Sequence, residues 1–388
     1  MYKGIKLRIY PTQEQQEIIK QSFGACRFVW NQMLNMSKER YSNNKDSKWQ
    51  TGFDMNILLK QLKEEYPWLK QTNSQSLQDQ CESLAKAYQR AFKHISGFPK
   101  FKSKRYAKQS YKVKQINSSK ITSNLLYLPG LKDMKYRGTK IYGKVKSATI
   151  ELRPTGKYYC VLLVECENQA QANKTNKQVG IDLGVSDLVI TSDSKVYKTI
   201  RFDKRLAKKE HYWEKRVARR RLQAQNIIAS MKQDKALRVP ELNDFKNYVY
   251  AKQMVAKYSE KVANQRKDYL HKITTELVNS YDTIVMEDLK TSNMMKNHNL
   301  ASAIANQSWR ELRDMLEYKC NWYGKELKLV SPKNTSRTCH KCGAYNENFR
   351  GMKQSEWLAV RQWTCPTCGA HLDRDVNASQ NILKLGLG

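Results

Sequence analysis

The sequence predicts a multidomain α/β protein, on three observations. In the second half, short apolar strands that each carry a carboxylate alternate with long basic helices. Near the N-terminus a strand is separated from later strand signals by a helical stretch, which predicts one β domain interrupted by helices. Close to the C-terminus, two CxxC pairs mark a small metal-stapled insert.

Residues 2–10 set Ile5, Leu7 and Ile9 against Lys6 and Arg8, the period-two pattern of a half-buried strand. After Pro11, Thr12 and Gln15 stand at capping-box spacing and open a helix with Ile18, Ile19, Phe23, Cys26, Val29 and Trp30 at helical intervals. Helical periodicity continues to about 94, with Leu77, Leu84 and Tyr88 on one side of 74–93, so 12–94 is expected to be a small helical module. Next, Gly97-Phe98-Pro99-Lys100-Phe101-Lys102-Ser103-Lys104-Arg105-Tyr106 interleaves aromatic and basic side chains. Such a surface stacks bases and grips phosphates through Lys100, Lys102, Lys104 and Arg105, or else is a solvated basic loop anchored by two aromatics. Strand signals return at 150–153 and 158–164 around a Thr155-Gly156 turn, and the strand at 2–10 is expected to join them in a β domain over 1–11 and 95–170.

Residues 167–177 read as a polar linker. Beyond it, 177–330 together with 371–388 is expected to form an α/β domain. Its first strand, 179–184, carries Asp182 between Gly180 and Gly184, and a second follows at 188–190. Long basic helices are expected at about 203–232 and 247–279; the run Arg219-Arg220-Arg221 on the first is either a phosphate contact or a solvated face. An apolar strand at 281–286 ends in Glu287, and Asp375 opens a short C-terminal helix bearing Ile382 and Leu383.

The charge narrows the partners. Lys and Arg number 70 against 36 Asp and Glu, a net +34 in 388 residues. Self-repulsion on that scale is relieved by a polyanion, and nucleic acid is the usual one. An anionic membrane fits less well, because the basic residues run along the whole chain and no uncharged stretch approaches the ~20 residues that span a bilayer. The start shows no apolar signal region, so a cytoplasmic protein is expected. Of nine cysteines, five (Cys26, Cys81, Cys160, Cys166, Cys320) lie in apolar or helical contexts, which favours a reducing compartment over disulfides.

Two constellations carry chemistry. A carboxylate in an apolar strand is costly unless paired or bound to metal, and Asp182, Glu287 and Asp375 together point to a hard-cation site for Mg²⁺ or Mn²⁺. Two such ions roughly 3.5–4 Å apart activate a water and stabilise the leaving oxygen of a phosphodiester. Asp288 is expected on the opposite strand face; Asp373 competes with Asp375 on sequence grounds alone. The second constellation is sharper: Cys339, Cys342, Cys365 and Cys368 form two knuckles with 22 residues between Cys342 and Cys365, a closed structural Zn²⁺ site that leaves His340 and His371 on the surface.

These residues resemble the TnpB family, RNA-guided nucleases carried by small bacterial insertion sequences. The resemblance runs through Lys6-Leu7-Arg8-Ile9-Tyr10-Pro11-Thr12, Phe23-Gly24-Ala25-Cys26-Arg27-Phe28-Val29-Trp30-Asn31, Phe98-Pro99-Lys100-Phe101-Lys102, Gly180-Ile181-Asp182-Leu183-Gly184, Met286-Glu287-Asp288-Leu289, the knuckles and Asp373-Arg374-Asp375-Val376-Asn377-Ala378. The family ending has a second alanine where this chain has Ser379. The resemblance implies a β-barrel (WED) domain at 1–11 and 95–170, a helical (REC) module at 12–94, an RNase H-like RuvC nuclease domain at 177–330 and 371–388, and a zinc-ribbon target-nucleic-acid-binding domain at 331–370. It implies an element-encoded guide RNA (the ωRNA), a double-stranded DNA target beside a short motif, Asp182, Glu287 and Asp375 as catalytic metal ligands, and cutting of both strands. A monomer on one RNA in the bacterial cytoplasm, associated with the nucleoid, is expected. A compact type V CRISPR effector shares the same site. An RNA-guided repressor without cleavage fits less well, because all three carboxylates are intact; a strand transferase typically orders them Asp, Asp, Glu.

Overall fold

A computed structural model of the chain describes all residues except 168–172, 290–293, 295–297, 353–355 and 357–358. The middle of the linker expected at 167–177 therefore lies outside the described residues. Two compact units are present, Met1–Glu167 and Asn168–Gly388.

In the first unit, strand β1 (Tyr2–Tyr10) is followed by helices α1 (Gln13–Asn43), α2 (Gly52–Glu65) and α3 (Ser74–Phe92), then strands β2 (Ser110–Lys114), β3 (Leu125–Leu128), β4 (Lys132–Arg137), β5 (Lys144–Leu152) and β6 (Tyr158–Glu165). The expected capping box is formed: Gln15 N donates to Thr12 Oγ1 at 3.3 Å and Thr12 N to Gln15 Oε1 at 3.0 Å. A second box, Thr51 with Asp54, starts α2. All strands pair antiparallel in the order β2-β5-β6-β1-β4-β3, so β1 lies inside the sheet although the helices separate it in sequence from its partners. Its inward residues Leu7 and Ile9 are fully buried, each such side chain contributing roughly 1.5–3 kcal/mol. The turn before β6 is the predicted one, with Gly156 at φ +75° and its N–H donating to Arg153 O. The expected barrel is not closed by hydrogen bonds: among the described residues the sheet ends at β2 and β3. Helices instead pack beside β2, where the Phe23 ring meets Tyr111 edge-on and Lys114 pairs with Glu82 at 2.7 Å.

In the second unit, strands β7 (Gln178–Asp182), β8 (Asp187–Thr191) and β9 (Val196–Lys198) precede the long helices α4 (Phe202–Gln233) and α5 (Lys246–Ser280). Strand β10 (Thr283–Glu287), helices α6 (His298–Gln307) and α7 (Trp309–Tyr323), strand β11 (Glu326–Val330), the short strands β12 (Gln362–Thr364) and β13 (His371–Asp373) and helix α8 (Arg374–Leu387) complete it. The main sheet has the order β11-β10-β7-β8-β9, with β10 parallel to both β7 and β11 and the other pairings antiparallel.

The pleat sorts this sheet into two faces. Val179, Ile181, Ile284 and Met286 join Leu270, Leu277, Leu312 and Leu316 of α5 and α7 in one apolar core. The opposite face, carrying Gly180 and Val285, is covered by α8. A Cβ at Gly180 would stand 2.1 Å from Ser379 O and 2.6 Å from Leu383 N, and one at Gly386 would stand 2.4 Å from Val285 Cγ1. Glycine is thus required where β7 and α8 touch backbone to backbone. Gly180→Ala is expected to cost about 1–3 kcal/mol or more, because the obstructing atoms are main chain and cannot rotate away. An unchanged urea midpoint for that variant would contradict the close approach.

Candidate active site

Asp182 and Glu287 are the last residues of the neighbouring parallel strands β7 and β10. Each follows the last paired residues, Ile181↔Met286, and by the pleat shares the face of Gly180 and Val285 that α8 covers. Asp375 stands in the first turn of α8, the helix that crosses Gly180. Three carboxylates far apart in sequence are so gathered at the C-terminal ends of two parallel strands, a common place for ligands in such sheets.

Their electrostatics follow from the gathering. Burial, then the charges of Glu287 and Asp375, push the Asp182 carboxyl up to about 8, with Arg374 opposing. Burial also raises Glu287, which is 7% exposed, against a hydrogen bond from Thr335 Oγ1 at 2.6 Å. Asp375 is drawn towards two arginines: Arg374 Nε donates to Oδ1 at 2.8 Å, and Arg361 Nη1 to Oδ2 at 3.0 Å. Arg361 also donates to Ser186 Oγ at 3.1 Å. The sequence reading did not single out either arginine.

Without a cation the folded chain keeps a proton on Asp182 that an unfolded chain loses near 4. Stability from this group is therefore full below about 4 and is lost as pH rises towards 8. A carboxylate set of this kind offers hard oxygen donors, which fits Mg²⁺ or Mn²⁺. The carboxylates do not close into a tight cage. Among the described residues only the four cysteines bring three or more ligand atoms within 4.8 Å of one another.

The two competing aspartates are otherwise engaged. Asp373 is the N-cap of α8, its Oδ1 accepting from the N–H groups of Asp375 at 3.0 Å and Val376 at 2.9 Å. Asp288 lies beyond the end of β10, half exposed, and pairs with Arg313. Asp282, expected inside the preceding strand, instead accepts from Thr175 and Asn176 N–H groups and from Lys325, which holds its carboxyl well below the usual range.

The cysteine site is built from two like turns. Gly343 N donates to Cys339 O and Gly369 N to Cys365 O, each at 2.9 Å, with both glycines at positive φ. Cys339 Sγ lies 3.7 Å from Cys368 Sγ, and Cys342 Sγ 3.6 Å from Cys365 Sγ. Backbone N–H groups of Cys368 and Thr367 pull the Cys365 thiol down to about 6, which readies a thiolate ligand. Four converging sulfurs fit a tetrahedral Zn²⁺. His371 is exposed, as expected, but His340 is not a free surface residue: its N–H donates to Asn377 Oδ1 at 2.9 Å, so the knuckle is seated on α8.

The basic residues divide. Lys104 and Arg105 are exposed, as is Lys100, whose carbonyl oxygen accepts from Trp30 Nε1. Lys102 is turned inward, its ammonium 3.4 Å from the centre of the Trp30 ring and 3.3 Å from Gln80 Oε1, with burial pushing it down to about 8. On α4, Arg219 and Arg221 are exposed, while Arg220 donates to Asn247 O of α5 at 2.6 Å.

Known families match three parts of the chain. Residues 161–298 match the OrfB IS605 profile, described as a probable transposase; 1–46 match the helix-turn-helix domain of the same family, and 309–382 the Cas12f1-like TNB domain. A Streptomyces pristinaespiralis protein named "Putative RNA-guided DNA endonuclease" is 30% identical over 99% of this chain and 89% of its own length. The Escherichia coli K12 protein InsQ, named in the same way, is 29% identical over 99% and 92%. Among solved structures, a Cas12f1–sgRNA–target DNA complex aligns with 99% of both chains at 18% identity and a TM-score of 0.34.

Proposed function

The chain belongs to the TnpB family of RNA-guided DNA endonucleases, and from that premise we propose that a guide RNA encoded by its insertion sequence directs it to double-stranded DNA, which it cuts at Asp182, Glu287 and Asp375. The observation that carries the catalytic assignment is the convergence of these three side chains on one sheet face, with the charges of Glu287 and Asp375 raising Asp182. The RNase H-like RuvC reading of the second unit is supported by its mixed sheet, in which the antiparallel strands β9, β8 and β7 adjoin the parallel strands β10 and β11. The six-stranded sheet and α1–α3 take the WED and REC roles, and 331–370 is the zinc-bearing target-binding insert.

Bound at the carboxylates, Mg²⁺ or Mn²⁺ supplies an activated water and charge neutralisation at the leaving 3′-oxygen. The chain's own residues prepare the site. Asp182 would release its proton to solvent on taking up the cation, Thr335 fixes one oxygen of Glu287, and Arg361 with Arg374 orients Asp375. Exposed Lys100, Lys104, Arg105, Arg219 and Arg221 take phosphate contacts. Base pairing with the guide supplies the sequence choice, in keeping with a +34 chain that grips backbone. A single copy on one RNA acts in the bacterial cytoplasm, associated with the nucleoid; among the described residues no helix is long and apolar enough to cross a membrane. Intact carboxylates favour cleavage over a repressor role.

The proposal is tested by metal dependence. Guided cleavage is expected to be absent without Mg²⁺ or Mn²⁺, and the apparent cation affinity to tighten as pH rises towards about 8, where Asp182 is losing its proton. Cutting in cation-free buffer, or an affinity that is flat between pH 6 and 8, would contradict it.

A further inference from the structure

Residues 335–340 lead into the first cysteine knuckle and are bonded on two sides. Thr335, 5% exposed, gives its hydroxyl proton to Glu287 Oε1 at 2.6 Å, while its carbonyl oxygen accepts from Asn381 Nδ2 at 2.8 Å. Thr338 O accepts from Asn377 Nδ2 at 2.8 Å and from Asn381 Nδ2 at 2.6 Å. Asn377 Oδ1 accepts in turn from the His340 N–H at 2.9 Å. The two asparagines are 1% and 8% exposed and lie one turn apart on α8, the helix whose first turn carries Asp375. Buried carboxamides are costly unless satisfied, and these are satisfied by the knuckle backbone.

We infer that Thr335, Asn377 and Asn381 are positioning residues of the nuclease centre, through which the cysteine knuckle sets the placement of Glu287 and Asp375. This rests on reading Asp182, Glu287 and Asp375 as cation ligands. Glu287 and Asp375 belong to elements 88 positions apart in the chain, and the loop between Thr335 and His340 is bonded to both. The four cysteines hold that loop, so zinc at the thiolates and a hard cation at the carboxylates share one mechanical support. Release of the knuckle frees the rotamer of Glu287 and the docking of α8 together.

The test titrates the zinc-loaded full chain with Mn²⁺, following free Mn²⁺ by its electron paramagnetic resonance. Thr335→Val keeps the shape and removes the hydroxyl; Thr335→Ser keeps the hydroxyl. Asn381→Ala removes both bonds of that carboxamide. We expect Thr335→Val and Asn381→Ala to weaken Mn²⁺ binding about 10- to 100-fold at unchanged zinc content, with Thr335→Ser binding as the wild type does. Zinc-stripped protein that keeps its helical circular dichroism is expected to show the same weakening. Glu287→Gln runs alongside. If Glu287→Gln weakens Mn²⁺ binding and Thr335→Val does not, the positioning role is overturned while the cation site stands. If Glu287→Gln has no effect, the cation-ligand reading fails and the positioning role with it. Unaltered Mn²⁺ affinity in the zinc-stripped chain overturns the coupling.

Discussion

Asp182→Ala is expected to lower guided cleavage by about 10³-fold or more while leaving RNA-guided DNA binding in place. The side chain ends β7, and burial with the Glu287 and Asp375 charges pushes its carboxyl up to about 8. On the proposed assignment, removing it takes away a cation ligand that is ionised only once its proton has left. The sheet around it loses little, because Val179 and Ile181 on the other face carry the packing. Duplex binding, proposed to rest on basic surface elsewhere, is expected to persist. Unchanged cutting by the purified variant would end the assignment of this site.

Cys339→Ser is expected to release the zinc and to reduce the folded yield sharply. Structural zinc contributes about 10–16 kcal/mol of apparent binding in small zinc domains, and a hydroxyl is a poor substitute for a thiolate. Among the described residues the local apolar cluster is small, Cys339, Phe349, Trp363, Cys365 and Leu372, so little else holds this part together. The loss should spread beyond it, because His340 and Thr338 dock on Asn377 and Asn381 of α8. Full zinc content in Cys339→Ser, measured by elemental analysis, would refute the four-thiolate site.

What was legible in the sequence had a strong local signature. Thr12 and Gln15 announced the start of α1, Gly156 the turn before β6, and the cysteine spacing the converging sulfurs. Asp182 and Glu287 stood out because charge at the end of an apolar strand is rare without a purpose. Asp373 and Asp375 could not be separated by periodicity. In the structure Asp373 caps α8 through bonds from the Asp375 and Val376 N–H groups, an engagement that depends on where α8 begins.

What was not legible depends on contacts between distant segments. Thr335 is an ordinary threonine until β10 brings Glu287 to it. Lys102 reads as one more basic residue in a basic stretch, yet Trp30 and Gln80 draw it inward. The Arg219-Arg220-Arg221 run looks uniform, but helical geometry turns Arg220 towards α5 and its neighbours to solvent. His340 seemed a surface residue because the four thiolates leave it no role at the metal; its backbone N–H supplies the role. The open end of the six-stranded sheet follows from pairing order, which no single strand encodes.

The most direct test of the central claim is to purify the protein with the RNA it carries, sequence that RNA, and offer the complex double-stranded DNA matching its 3′ segment in the presence of Mg²⁺. The account predicts one defined RNA, and cutting that moves to a new duplex when that segment is rewritten. Cutting that ignores the rewritten segment, or that proceeds after the RNA is removed, would contradict it.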